Sequence, residues 1–153
     1  SRCKIMSEWQ AVIPFAPQAT PRPQFKFVKN SGNRGKVITY YPTKYTEYMQ
    51  AVKDYLLQHQ LYNDDFYQTI QNPYGVLMEV IFYLQIPQHQ KTVKSLMRKT
   101  APDIDNLEKA IMDSIFKDLA IRDSRIVGIK SLKLNEKNFP RTEVRLIGID
   151  QDE

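Results

Sequence analysis

Ala101-Pro-Asp-Ile-Asp-Asn-Leu-Glu-Lys109 sets two carboxylates one residue apart, directly ahead of an apolar helical pattern. Leu107, Ala110, Ile111, Ile115, Phe116 and Leu119 recur at three- and four-residue spacing, which predicts a helix from Asn106 to Leu119 with a wide buried face. Asp103 and Asp105 fall on the turn into that helix, where the positive helix end favours ionised carboxylates. Lys109 follows one turn in. Asp123 opens the next predicted strand and returns to the same spot if helix and strand fold back as a hairpin-like unit.

Two readings of this stretch compete. In the first, Asp103, Asp105 and Asp123 hold a divalent cation for cutting a phosphodiester. Mg2+ prefers oxygen ligands and keeps several waters, so two or three carboxylates are a sufficient protein share, and Mn2+ is a natural substitute. Such an ion neutralises charge developing on the phosphate and helps deprotonate an attacking water. Lys109 would hold the carboxylates apart or bind the scissile phosphate, with Asp113 as a supporting acid. In the second reading, Asp105 and Glu108 form a capping box, Lys109 pairs with Asp105 or Asp113, and Asp123 is a loop acid. Two features favour the first. Asp103 is not needed for the cap, and Lys109 with Asp113 draws a polar line along an otherwise apolar helix, where charge needs a reason.

The rest of the chain fits a polyanionic partner. It has 153 residues, 42% of them hydrophobic, and a formal charge of +5, which describes one ordinary globular domain over 1–153 with a modest basic excess. Nine tyrosines and seven phenylalanines supply core and base-stacking surface. The single cysteine, Cys3, excludes an intrachain disulfide, and His59 and His89 are too scattered for a zinc site. Without an apolar run of membrane-spanning length or a secretory leader, the expected compartment is the cytoplasm. Ser1 to Ile5 read as a cloning remnant before Met6.

Upstream, Trp9 to Phe15 reads as a first strand, and residues 23–41 as a hairpin whose basic positions Arg22, Lys26, Lys29, Arg34 and Lys36 form a phosphate-contacting edge. A helix runs from Pro42 to Gln60, capped by Thr43, with Tyr45, Met49, Val52 and Leu56 buried; Asn63 to Asp65 reads as loop. Gly75 to Ile86, apolar on both faces, predicts a central strand. Gln88 to Thr100 is a basic loop or short helix whose Lys91, Lys94, Arg98 and Lys99 face DNA. Ile121 to Leu134 and Arg141 to Ile149 predict the last two strands. Together these elements give an α+β domain with a mixed sheet and two main helices.

Pro102-Asp-Ile-Asp-Asn-Leu-Glu-Lys-Ala-Ile-Met-Asp113, followed by Arg122-Asp-Ser-Arg-Ile-Val127, resembles the RusA family of Holliday junction resolvases. Thr20-Pro-Arg-Pro-Gln24 resembles the family's Arg-Pro segment, and Tyr40-Tyr-Pro-Thr-Lys44 its lead into the first helix. The resemblance implies a homodimeric, Mg2+-dependent endonuclease, mostly phage- or prophage-encoded, that nicks opposed strands of a four-way junction in DNA recombination and repair. It makes Asp103, Asp105 and Asp123 the catalytic metal-binding acids and Lys109 the catalytic lysine. Arg122 stands where the family has a first acid, and Ala101 where it often has a base. The rival expectations are a nuclease for flaps or forks and a non-catalytic DNA-binding module.

Overall fold

The computed structural model describes residues 3–29, 34–90, 94–121 and 123–151, with the side chains of residues 3, 4, 123 and 151 outside the description. Its elements are β1 (Cys3–Ile13), β2 (Gln24–Lys29), β3 (Gly35–Tyr40), α1 (Thr43–Gln58), α2 (Asp64–Ile70), β4 (Val76–Gln85), α3 (Ile104–Phe116), β5 (Ile126–Glu136) and β6 (Arg141–Gln151). Four strands form a sheet in the order β1-β6-β4-β5. The β1–β6 and β6–β4 pairs are antiparallel and β4–β5 is parallel, so the sheet is mixed, as the α+β reading requires. Strands β2 and β3 make a separate antiparallel ribbon.

Strand β4 is central. Val76, Met78, Val80, Phe82 and Leu84 are buried under the helices, while Leu77, Glu79, Ile81 and Tyr83 on the other face are only half-buried. The apolar run predicts two covered faces; the structure covers one. The far face is closed by charge instead. Arg145 bonds Glu8 at 2.6 Å and Glu79 at 3.4 Å. Arg141 bonds Glu143 and Glu136, and its guanidinium lies 3.6 Å from the Tyr83 ring centre. Pairs this open to solvent contribute little to stability.

Several boundaries differ from expectation for local reasons. Strand β1 starts at Cys3, paired with Gln151, and stops at Ile13. Thr43 is not a cap: it is the first helical residue, Pro42 is the N-cap, and Thr46 Oγ1 donates back to the Thr43 carbonyl at 3.0 Å. Asn63 to Asp65 are not loop. The Asn63 side chain accepts from the Phe66 N–H and caps α2, with Asp64 and Asp65 in the favoured first turn. Helix α3 ends at Phe116, earlier than its apolar pattern suggests, and Asp118 takes a left-handed φ of 65°.

The segment after β4 is neither a free loop nor a helix throughout. A 3-10 turn covers Gln88–Gln90. Met97 then bridges Leu134, the Arg98 N–H donates to the Lys133 carbonyl at 2.9 Å, and the Asn135 N–H to the Leu96 carbonyl at 2.9 Å. The chain therefore runs along the outer edge of β5 before turning into α3.

Candidate active site

Two parallel strands joined by a helix impose a direction. The helix runs back against the strands, so its N-terminus lies beyond their carboxyl ends, the usual place for a site in such sheets. In β4-α3-β5 that end carries Asp103 and Asp105. Asp103 is the N-cap residue of α3, yet its side chain makes no capping hydrogen bond. Asp105 Oδ1 accepts from the Asn106 N–H at 2.9 Å. Glu108 does not turn back to the cap; its carboxylate accepts from the Ser131 hydroxyl of β5 at 2.7 Å. The capping box is therefore not formed. Asp103, Asp105 and Lys109 are all exposed, and the hard carboxylate oxygens of the two acids fit a divalent cation.

The turn that presents them is held by cations. Lys133 Nζ donates to the carbonyls of Thr100 and Pro102, both at 2.8 Å. The Arg98 guanidinium donates to the Ala101 carbonyl through Nε and a terminal nitrogen at 3.2 and 3.0 Å, and to Gln85 O and Asn135 Oδ1 at 3.3 and 3.2 Å. Arg98 is thus engaged within the molecule. Replacing Lys133 with Met leaves the exposed Thr100 carbonyl to water and strands the part-buried Pro102 carbonyl, so Lys133→Met is expected to cost about 1 kcal/mol. Urea unfolding measures it, and Lys133→Arg, which keeps a cationic donor, should recover at least half. The sequence carried a signal for Lys133. Ser131 and Lys133 alternate with Leu132 and Leu134, and it is the polar pair that faces α3.

The third acid lies elsewhere. Strand β5 does return alongside α3, but it runs so that Ser131 meets Glu108 and Lys133 meets Pro102. Its beginning is therefore at the far end of the helix. Asp123 opens a 3-10 turn, Asp123–Arg125, just before β5. Ser124 borders the groove lined by Phe116 and Lys117 at the end of α3. Arg125 fixes this turn by donating to the carbonyls of Ile70 and Asn72, at the end of α2. Helix α3 has 13 residues, so at 1.5 Å per residue its ends are roughly 20 Å apart. The expected convergence of Asp123 with Asp103 and Asp105 does not occur within one chain. The side chain that returns to the acid turn is Lys133. Among the described residues no three of His, Cys, Asp and Glu gather as a metal site.

Asp113 is half-buried and lines the same groove as Ser124, with Tyr41 and Met49 opposite. Burial raises the Tyr45 phenol above its ordinary value; a hydrogen bond with Thr20 opposes this, and the nearby Asp113 charge adds to it. Thr20 also docks its own segment, its N–H donating to the Asn106 carbonyl at 3.0 Å in the first turn of α3. That contact brings the chain leading to Arg22 beside the acid turn. Arg22, Lys26, Lys29, Arg34, Lys36, Lys94 and Lys99 are exposed. Lys91 lies outside the described residues. No helix among the described residues is long and apolar enough to cross a membrane.

Residues 14–147 match the family model described as Endodeoxyribonuclease RusA. No curated protein matches the chain. The match spans every element from β2 to β5, most of β6, the exposed acid pair at the start of α3 and the turn that carries Asp123. The chain belongs to the RusA family of endodeoxyribonucleases.

Proposed function

We propose that this chain is a divalent-metal-dependent, structure-selective nuclease that resolves Holliday junctions as a homodimer. The observation that carries this reading is the exposed Asp103–Asp105 pair at the start of α3, of which Asp103 makes no capping bond. A bound Mg2+ or Mn2+ would neutralise phosphate charge and lower the pKa of a bound water. Asp103 and Asp105 would hold the ion. Lys109, exposed one helical turn beyond Asp105, would bind the scissile phosphate, and Asp113 supports the polar edge of α3.

The separation of the acids argues for a dimer. One chain presents Asp103 and Asp105 at one end of α3 and the Asp123 turn at the other. A two-fold copy with antiparallel α3 helices would bring each Asp123 to its neighbour's acid pair. The same symmetry suits a four-way junction cut on opposed strands. Arg22, Lys26, Lys29, Arg34, Lys36, Lys91, Lys94 and Lys99 would contact phosphates, with Arg98 holding the acid turn.

The test is nicking of a synthetic four-way junction with Mg2+, in competition with excess linear duplex, flap and fork DNA. Paired nicks that survive competition are expected. Equal cleavage of flaps or forks would replace the junction with branched DNA in general. Salt-sensitive binding without metal-dependent cleavage would leave only a DNA-binding module.

A further inference from the structure

Outside the site, the β2–β3 ribbon is the most unusual surface. Phe25, Phe27 and Val37 are 71%, 59% and 64% exposed. The register pairs Phe25 with Thr39 and Phe27 with Val37, so these residues share one face of the ribbon. Lys26 and Lys36 occupy the other, and residues 23–41 contain no acidic residue. A lone two-stranded ribbon is marginal in water, and large exposed apolar side chains on it mark a partner.

Glycine at position 35 shapes that face. A Cβ there would fall within the Phe27 ring, 1.7 Å from Cζ. The ring therefore lies directly over the Gly35 backbone, steadied from beneath with its outer side open to solvent. A flat, supported aromatic surface on a wholly cationic element is how proteins stack nucleic-acid bases. A purely electrostatic contact would need neither the exposed rings nor the glycine.

We propose that the β2–β3 ribbon is a base-stacking element. Phe27, seated on Gly35, and Phe25 beside it stack on base faces exposed where the branch point opens, while Lys26 and Lys36 contact phosphates. This rests on the reading of branched DNA as substrate, and it gives that reading a structural origin, since intact duplex exposes no base faces.

The experiment measures binding without metal, so that it does not depend on cleavage. Fluorescence anisotropy compares wild type, Phe25→Ala and Phe27→Ala on a four-way junction and on linear duplex in EDTA. Each substitution is expected to weaken junction binding about tenfold and duplex binding much less, with little change in the salt slope. Phe27→Trp supplies a direct probe, because the native Trp9 is buried at 3% exposure and contributes a constant background. Its emission should be quenched by the junction. Unchanged junction affinity together with unquenched Phe27→Trp emission would overturn the proposal. Conversion of a wild-type dimer to monomer by Phe25→Ala or Phe27→Ala in sedimentation would also overturn it, assigning the face to a second copy. Loss of nicking specificity with stacking intact would instead count against the substrate reading alone.

Discussion

Asp103→Asn and Asp105→Asn should each lower junction nicking by roughly two orders of magnitude or more, the scale expected when a catalytic ion loses a ligand. Binding to the same junction should change little. Asparagine keeps the size of the side chain and removes the charge that attracts the cation. Neither substitution should unfold α3, because the Asp103 side chain makes no capping bond and Asp105 accepts only from the neighbouring Asn106 N–H. Single-turnover nicking, anisotropy and melting curves with and without Mn2+ separate these effects. The wild type should gain melting temperature with Mn2+, and the variants should not.

Mixing carries the prediction further. If each site takes Asp103 and Asp105 from one copy and Asp123 from the other, Asp103→Asn and Asp123→Asn homodimers are both inactive. Their heterodimer retains one intact site and should nick a single strand. If Asp123 acts within its own chain, the mixture stays inactive. Wild-type cleavage by both single variants would remove the acids from the chemistry altogether.

The parts of the fold that were legible are those with a strong period. The three-four spacing of α3 follows from burial of one helix face, and the long apolar run of β4 marks a central strand although only one of its faces is buried. Helix α2 was harder, because seven residues give too short a stripe to compete with the polar run Asn63-Asp-Asp65. The signal was present nonetheless, as a capping asparagine with acids in the first turn. The place of Asp123 depended on a fact no local pattern contains, the parallel pairing of β4 with β5. Parallel pairing sends a following strand's start to the far end of the connecting helix. A strand that merely follows a helix does not reveal this. Lys133 escapes local pattern for a related reason: Leu132 and Leu134 mark β5 as a strand but not which of its faces meets α3, and it is the face of Ser131 and Lys133 that does.

Phe66→Ala should be the most destabilising single change, at about 3–5 kcal/mol. For a chain of this size that is roughly 10 °C in melting temperature. Phe66 is fully buried, and its ring meets those of Trp9, Tyr62, Tyr67 and Phe116 at 5.0, 5.0, 5.3 and 6.2 Å between centres. These contacts join α2 to β1 and to the end of α3. Two flanking bonds depend on the same packing, from Trp9 Nε1 to the Leu61 carbonyl at 2.7 Å and from the Tyr62 hydroxyl to the Ile115 carbonyl at 2.5 Å. Tyr67→Ala, at the exposed rim, should cost less than half as much. The consequence reaches the chemistry, because Arg125 anchors the Asp123 turn to the carbonyls of Ile70, the last residue of α2, and Asn72 just beyond it. A loosened α2 releases that turn while the Asp103 turn remains held by Lys133. At a temperature where Phe66→Ala is still folded, junction nicking should therefore fall more steeply than junction binding. Equal losses would mean that α2 stabilises the fold without positioning the third acid.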